Sequence, residues 1–415
     1  MTGEIHPMRL RRALLALLFL ALPARGGDED DLLRDLERMA AAQNRPATAA
    51  ELRQLVAEML PRVAKVMKRS PPAHLDVRVV SREEARKRLM AVLQRDYPGD
   101  MLERLSATLA AVGLVAPGTD LRGEAEALYG SNVSGFYDPH DRALFLLDDQ
   151  PLMVQSLVVA HELAHALQDE LVHLDAASEK VRSSEDAQLA LSAAIEGQAQ
   201  EAASLVMAQE VAELGESGAE LVSLLSEGSA ASAAMAGSSA SVPWLGLQLR
   251  FPYSAGAALV AAVRTKEDPS GVTLLRKLPV STAQVIYPAL YRNDVRPKEG
   301  KLDLAARLMG SAPVYATTLG AANLDLLGEM QTESELSRGW RGDRLEAVRL
   351  NGRLAVVWAV AFQEAAQSER LVRVWTKAKR SRAVAQQKGI VAVLLVDVPA
   401  DRVAELAQLA GNAFR

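Results

Sequence analysis

The chain of 415 residues contains no cysteine. This absence excludes disulfide bonds, thiolate ligands for a metal ion, and a lipoprotein anchor, which requires a cysteine at the cleavage point. Any metal ion must therefore be held by histidine, aspartate or glutamate. The stability of the fold must come from packing and hydrogen bonds.

Aromatic residues are also scarce, at 4% of the chain, whereas hydrophobic residues make up 49% and charged residues 24%. This composition is typical of a globular protein, and the abundance of alanine predicts that helices dominate. The length predicts two or three modules. The formal net charge of -5 argues against a nucleic-acid partner, because such proteins carry a basic surface.

Long apolar runs are absent except near the N-terminus. Arginines precede the run Ala13–Leu22, Pro23 ends it, and Ala24 and Gly26 supply small residues beyond it. The run is too short to span a bilayer, so it predicts a secretory signal peptide over residues 1–27. We expect an exported protein, periplasmic or extracellular, with no stable membrane insertion after signal cleavage. An uncleaved anchor is the alternative.

Histidine is scarce as well, with six in the chain, yet two of them stand four positions apart in His161-Glu162-Leu163-Ala164-His165. On a helix, His161 and His165 fall on one face, one turn apart, where they could hold a single zinc ion. Glu162 could then reach a water molecule beside the ion and act as its general base.

The residues around this motif are apolar on most sides, which predicts a buried helix that begins near Leu152. Two histidines and a glutamate in such a helix need partners, and a metal ion would supply them. The alternative is a helix whose histidines share a face by chance and whose Glu162 is solvated.

A catalytic zinc ion needs a third protein ligand. The metzincin pattern is excluded, because Gln168 and Leu171 stand where it requires glycine and histidine. We favour Glu196, which follows His165 by 31 residues in an alanine-rich segment of the next predicted helix, where an unpaired carboxylate would be costly. The rivals for this position are His173, Glu185 and Glu201.

Other residues could support the ion and the reaction. Asp169, one turn after His165, could accept the second N–H of a ligating imidazole. Gly197 would let the helix of Glu196 approach a neighbouring helix closely. An oxyanion would need a donor opposite the ion, and three tyrosines downstream could supply one. These are Tyr253, Tyr287 and Tyr291.

Alternating residues around Asp138-Pro139 predict a β-hairpin over residues 133–147, directly before the motif helix. Its exposed edge could bind an extended peptide as an added strand. His140, in the turn, is expected to be a solvated loop residue. Farther along, Phe251-Pro252-Tyr253 is predicted to open a helix over Ala255–Val263.

Several segments together resemble a widespread bacterial group of secreted, zincin-like metallopeptidases of the Glu-zincin (gluzincin, HExxH) kind, most without an assigned substrate. The resemblance covers roughly residues 70–300 and rests on Ser81–Glu84, Gly135–Pro139, His161–Asp169, Ile195–Ala199, Phe251–Tyr253 and Ser281–Gln284. It implies His161 and His165 as ligands, Glu162 as base and Glu196 as third ligand. Many Glu-zincins carry an acidic residue four positions after the ligand glutamate, where this chain has Gln200.

The sequence therefore predicts an α+β fold, predominantly helical. Beyond the signal peptide we expect an N-terminal helical region over residues 28–70 and a zincin-like metallopeptidase core over residues 71–310. A small C-terminal α+β unit, β-β-α-β-α, is expected over residues 340–415, with a two-residue turn at Asn351-Gly352. The segment Gly215–Ser241, rich in alanine, serine and glycine, is a link between helices or a lid.

The predicted function is that of an exported zinc metallopeptidase, with one Zn²⁺ per chain and a peptide or protein as substrate. A hydrolase of another amide, such as a cell-wall peptide, is a second reading. The competing class is a non-catalytic, zinc-stabilised envelope or adaptor protein whose C-terminal unit binds a partner. Neither the oligomeric state nor the cleavage specificity follows from the sequence.

Overall fold

The structure is a computed structural model that describes residues 45–132, 134–212, 241–308, 310–378 and 382–414. The predicted signal peptide, residues 28–44 of the predicted N-terminal region and most of the segment Gly215–Ser241 lie outside these ranges. Within them, every helix is too short or too polar to cross a membrane.

The first half of the chain builds a small sheet and the helices around it. Its elements are α1 (Ala49–Val66), β1 (Asp76–Val80), α2 (Arg82–Asp96), α3 (Met101–Val112), α4 (Leu121–Asn132), β2 (Gly135–Asp138), β3 (Ala143–Leu147), α5 (Leu152–Val172), α6 (Leu174–Val181) and α7 (Glu185–Ala212). Thr48 caps α1 by accepting a hydrogen bond from the N–H of Glu51, whose carboxylate accepts from the N–H of Thr48.

The small sheet has the strand order β1-β3-β2. β2 and β3 form the predicted antiparallel hairpin, with Tyr137 opposite Leu144, and the turn that carries His140 is exposed. β1 pairs parallel with β3, which the sequence did not indicate. All of β3 is buried. β2 is thus an edge strand, and it contacts the helix α5 that carries the histidine motif.

The second half of the chain begins with helices and ends in a larger sheet. Its elements are α8 (Pro243–Val263), a 3₁₀ turn (Val272–Arg276), α9 (Thr282–Ile286), α10 (Pro288–Arg292), α11 (Leu304–Arg307), β4 (Ala312–Thr317), α12 (Gly320–Glu329), β5 (Trp340–Leu350), β6 (Arg353–Phe362), α13 (Ala365–Lys377), β7 (Ala383–Lys388), β8 (Val391–Val396), a 3₁₀ turn (Ala400–Arg402) and α14 (Val403–Gly411). The prediction that this part opens a helix at Phe251 was wrong, because α8 begins at Pro243 and continues through Pro252.

The C-terminal sheet is antiparallel, with the strand order β4-β5-β6-β8-β7. The turn between β5 and β6 is the predicted one: Asn351 and Gly352 have φ angles of 50° and 76°, which a type I′ turn requires. The predicted order β-β-α-β-α is incomplete. The structure adds β7, which forms a hairpin with β8, and β4, which extends the sheet at the opposite edge.

Both faces of this sheet are covered, and the residues of β6 alternate between them. Trp358 and Phe362 face a core that also contains Leu105 of α3 and Ala190 of α7. The residues of β6 between them, such as Val357, face the opposite side, where they pack against α14 and the segment before β4. The C-terminal sheet and the helices of the first half therefore share one core, and the chain as a whole is a mixed α+β protein.

Candidate metal centre

Helix α5 presents the two histidines of the motif to helix α7. Leu163, Ala164 and Leu167 are fully or almost fully buried against α1, β3 and α7, and they fix the rotation of α5 about its axis. The ring centroids of His161 and His165 lie 4.6 Å apart with the planes at 86°, and their Nε2 atoms are 3.0 Å apart. Both Nε2 atoms therefore point to the same space between the helices.

Helix α7 brings Glu196 to that space. Its Oε2 lies 3.0 Å from Nε2 of His161 and 3.5 Å from Nε2 of His165. Bonds of 2.0–2.1 Å in a tetrahedron would put ligand atoms about 3.3 Å apart, so these separations fit a zinc ion held by all three side chains. A nitrogen, nitrogen, oxygen donor set is also one that zinc accepts. The structure thus brings together the three residues that the sequence predicted as ligands.

The rival ligands lie elsewhere. His173 ends α5 with a φ angle of 54° and is exposed to solvent. Glu201 forms an ion pair with Arg264. Glu185 is buried at the start of α7, where its Oε1 accepts a hydrogen bond of 2.6 Å from the hydroxyl of Tyr315. None of the three competes with Glu196 for the histidines.

Two glycines allow α7 to approach α8 closely, as predicted for Gly197. A Cβ added to Gly197 would lie 2.2 Å from the carbonyl carbon of Gly256, and one added to Gly256 would lie 2.1 Å from the carbonyl oxygen of Ala193. The backbones of the two helices are thus in direct contact. This crossing fixes α7 at the residue next to the ligand Glu196.

The same crossing places one of the three candidate tyrosines at the site. Tyr253 lies one turn before Gly256 on α8, and its ring centroid is 6.1 Å from that of His161. The other two are engaged elsewhere: the hydroxyl of Tyr287 is 3.0 Å from Oγ of Ser337, and that of Tyr291 donates to the carbonyl of Lys277. Tyr253 is therefore the candidate that the geometry retains.

Gln168, and not Asp169, orients His165. Nδ1 of His165 lies 2.8 Å from Oε1 of Gln168, and Nε2 of Gln168 donates to the carbonyl of Ile195 and to Oε1 of Gln198. Since the amide group of Gln168 is already used as a donor, its oxygen accepts from Nδ1–H of His165. In the neutral imidazole the proton therefore lies on Nδ1, and Nε2 is the nitrogen that can bind a metal.

Asp169 instead holds the hairpin and the end of α5. It accepts hydrogen bonds of 2.8 Å from the hydroxyl of Tyr137 and 2.8 Å from the N–H of Leu174. Sequence reasoning missed Gln168 because a glutamine three residues after a histidine carries no distinctive pattern. Its only signal was a polar side chain on an otherwise apolar helix.

The general-base candidate Glu162 is held by the edge strand. Its Oε2 accepts a hydrogen bond of 2.8 Å from the backbone N–H of Tyr137 on β2. Burial raises the pKa of Glu162 above its ordinary value, although the charges of His165 and His161 oppose this. A carboxylate with a raised pKa is a stronger base, which suits proton transfer.

Glu196 and His165, two of the candidate ligands, shift each other's pKa. Burial acts to raise the pKa of Glu196, but the charges and hydrogen bonds of His165 and His161 hold that pKa well below its usual range. Burial likewise acts to lower the pKa of His165, but Glu196 outweighs it and raises that pKa to about 9. The carboxylate thus favours positive charge at this position, which is what a cation site needs.

A cleft with a volume of about 280 Å³ lies beside the candidate metal site. Its wall includes the candidate ligands His165 and Glu196, together with Tyr137, Arg182 and Asp175. The cleft thus opens onto two of the three candidate ligands from the side of β2 and α6.

Comparisons with protein-family models and with curated proteins find no match. Among solved structures, the chain is similar to the crystal structure of a "putative hydrolase with a novel fold" from Chloroflexus aurantiacus. The two share 16% identity with a TM-score of 0.36, over 70% of this chain and 99% of that chain. At this identity and TM-score the similarity assigns neither fold nor activity.

Proposed function

We propose that the protein is an exported, zinc-dependent metallopeptidase. The observation that carries the proposal is the convergence of Nε2 of His161, Nε2 of His165 and Oε2 of Glu196, with Glu162 adjacent on α5. Three protein ligands and a neighbouring carboxylate are what such a site requires. A bound zinc ion would supply a Lewis acid that polarises a peptide carbonyl and acidifies a water molecule.

In this mechanism Glu162 moves the proton. Its carboxylate takes a proton from the attacking water and delivers it to the leaving amine. Two features support this role: the Tyr137 N–H holds the carboxylate in place, and burial raises its pKa. Gln168 accepts from Nδ1–H of His165, so Nε2 would be the nitrogen that binds the ion.

We further propose that the substrate binds along β2 as an added strand. β2 is at the edge of its sheet, and the N–H of Tyr137 points away from β3 towards the site. An extended peptide on this edge would present a carbonyl group between Glu162 and the ligands. Tyr253, beside His161 on the other wall, is the proposed donor to the developing oxyanion.

The first experiment separates a peptidase from a non-catalytic zinc protein. Glu162→Gln should lower kcat/KM on a cleaved peptide by about 10²–10⁴-fold while zinc content stays near one per chain. Glu170→Gln is the matched control, because Glu170 lies on the same helix but is exposed and paired with Arg142. If the wild type holds zinc yet cleaves no member of a peptide library, the enzyme proposal fails.

The second experiment tests the ligand set. Glu196→Ala should reduce the zinc content of purified protein far below one per chain, because two imidazoles alone bind zinc weakly. Glu201→Ala, on the same helix but paired with Arg264, should leave the zinc content unchanged. Equal zinc in wild type and Glu196→Ala would reject Glu196 as third ligand.

Export is the third part of the proposal, and it rests on the N-terminal sequence alone. Cleavage near residue 27 should leave a mature chain that begins close to Asp28. Mass spectrometry of the protein from periplasmic and culture fractions would identify this N-terminus. A full-length chain found only in the cytoplasm would contradict export.

A further inference from the structure

A second pocket adjoins the cleft that contains the candidate metal ligands. Its volume is about 320 Å³. Asp96, Gln188 and Ser192 belong to the walls of both spaces, and Ser192 lies one turn before Glu196 on α7. The two spaces are therefore neighbours along one face of this helix, and a substrate in the cleft can extend a side chain into the pocket.

The wall of this pocket is mostly aliphatic. Its aliphatic part includes Leu89, Val92, Leu93, Leu102, Leu121 and Leu189. Its two carboxyl groups belong to Asp96, at the junction with the cleft, and to Glu185. None of the residues that the structure places in this wall is a lysine or an arginine. The pocket thus combines hydrocarbon contacts with two carboxyl groups.

Glu185 lies on the same face of α7 as the candidate ligand Glu196, because 11 residues correspond to about three full turns. Glu185 is only 3% exposed, and among the described residues its carboxyl group accepts a hydrogen bond from the hydroxyl of Tyr315. Burial raises the pKa of Glu185 to about 7, and no cation among the described residues offsets this. Neither the proposed mechanism nor the metal site uses this carboxylate.

We infer that this pocket is a substrate subsite for a lysine or arginine side chain, an inference that rests on the proposed peptidase function. The aliphatic stem of such a side chain would pack against the leucines, and its charged end would reach Glu185. Asp96 would attract the cation at the entrance. A wholly apolar side chain would leave the buried carboxyl group of Glu185 with only the hydrogen bond from Tyr315, and an acidic side chain would be repelled.

The spacing along α7 gives the position of this residue in the substrate. Eleven residues of helix separate Glu185 from Glu196 by about 16 Å. An extended peptide advances about 3.3 Å per residue, and the basic side chain covers part of the remaining distance. The basic residue is therefore expected about two or three positions from the cleaved bond.

The test is a binding measurement on zinc-loaded Glu162→Gln protein, which does not consume its ligand. The probes are acetylated and amidated decapeptides that carry either lysine or norleucine at one position, scanned along the peptide. At the best position the lysine peptide should bind at least about tenfold more tightly than its norleucine partner. Norleucine keeps the hydrocarbon stem and lacks the charge, so the ratio measures the charge alone.

Glu185→Gln in the Glu162→Gln protein should bring this affinity ratio close to one. The amide oxygen of the new glutamine can still accept the hydrogen bond from Tyr315, and the zinc content should not change. Glu179→Gln is the matched control, since Glu179 lines the cleft and not the pocket, and it should keep the ratio. Asp96→Asn, at the exposed junction, should lower the ratio partly. It serves as the second variant if Glu185→Gln does not fold.

A norleucine peptide that binds as well as the lysine peptide at every position would overturn the inference and identify an apolar subsite instead. This result is distinct from failure of the proposed function. If the wild-type protein hydrolyses peptides without preferring basic residues, the peptidase proposal stands and the subsite inference is wrong. If the protein binds lysine peptides more tightly but hydrolyses no peptide, the subsite inference stands and the peptidase proposal is wrong.

Discussion

Gln168 shows how one side chain couples the two helices of the candidate site. It accepts from Nδ1 of His165 on α5 and donates to Ile195 and Gln198 on α7, on either side of Glu196. The side chain is fully buried, so these hydrogen bonds are shielded from water. It therefore sets both the tautomer of one ligand and the position of the helix that carries another.

Replacing Gln168 should weaken zinc binding without removing a ligand. We expect Gln168→Ala to lower zinc affinity by about 10–100-fold, the usual cost of losing the partner of a ligating histidine. Asp169→Asn should change it much less, because Asp169 contacts Tyr137 and Leu174 and no ligand. Competition titration with a zinc chelator would measure both. A larger loss for Asp169→Asn would show that the sequence-based choice of orienting residue was right after all.

Buried acids away from the ligands predict how stability changes with pH. Burial raises the pKa of Asp186 from 3.8 to about 7, although Thr282 donates two hydrogen bonds to it. Between these two values the folded state holds a proton that the unfolded chain has lost. The contribution of the protonated Asp186 side chain to the free energy of unfolding is thus fully present below about pH 4 and is lost as pH rises through about 7.

Asp186→Asn should remove this pH dependence, because an amide group does not titrate. The amide oxygen of the variant can still accept the hydrogen bonds from Thr282. The free energy of unfolding of the variant, relative to wild type, should rise by on the order of 2 kcal/mol between about pH 5 and pH 8. Urea denaturation at several pH values would measure it. Asp175→Asn, at an exposed position, is the control. A flat difference for Asp186→Asn would mean that this carboxyl titrates normally in the folded protein.

Helices α7 and α8 were only partly predictable, and the reason lies in how each is stabilised. The ligand helix α7 has a long alanine-rich pattern that is local to its own segment. α8 contains Pro252, which usually starts a helix, yet here the helix continues through it because both sides pack into the core. Tertiary contacts of this kind are not visible in a local pattern.

The missing strands have a similar explanation. β4 and β7 are the two edge strands of the C-terminal sheet, and each has only one neighbour. β4 contains Pro313, and β7 has the sequence Ala-Val-Ala-Gln-Gln-Lys, with little of the apolar alternation that marks a buried strand. By contrast, the central strands β6 and β8 are almost entirely apolar and were predicted.

The contact between α7 and α8 can be tested with a single methyl group. Gly197→Ala should destabilise the fold by about 1–3 kcal/mol, because the added Cβ would overlap the backbone of Gly256. It should also lower zinc affinity, since Glu196 is the adjacent residue. Gly123→Ala on α4 is the control, as its Cβ would meet only the movable carboxylate of Asp120. Thermal denaturation and zinc titration should separate the two variants, and equal behaviour would contradict the close crossing.

At the scale of the molecule, the two sheets and the helices between them are joined by buried polar contacts as well as by the shared core. Asp343 of β5 accepts hydrogen bonds from the indole N–H groups of Trp340 and Trp358 and from the backbone at the start of α12. Trp375 of α13 donates to the carbonyl of Val112 on α3 at 3.1 Å. The C-terminal unit is thus tied to the part of the chain that precedes the histidine motif.

We therefore expect one cooperative unfolding transition. All four tryptophans of the chain, Trp244, Trp340, Trp358 and Trp375, belong to the same core. Tryptophan fluorescence, far-UV circular dichroism and zinc release should share one midpoint in urea, within experimental error. Two separated transitions would show that the C-terminal sheet unfolds independently of the metal site.

The sequence indicated the local parts of this architecture and not their assembly. The spacing of His161 and His165 is fixed by one helix, and Glu196 could be chosen because its own segment made it unusual. The wall shared by Asp96 of α2 and Gln188 of α7 joins residues more than 90 positions apart. Such pairs depend on how helices pack, and a single sequence carries no pattern for them.

The hydrogen bond between Glu162 and Tyr137 has a consequence for the order of events. The N–H that holds the carboxylate belongs to the same strand edge that a bound peptide would use. A substrate that takes this N–H for its own carbonyl would release Glu162 at the moment when the scissile bond arrives. In the substrate-free protein Glu162 would then stay hydrogen-bonded to Tyr137. Binding of the substrate would free its carboxylate for proton transfer.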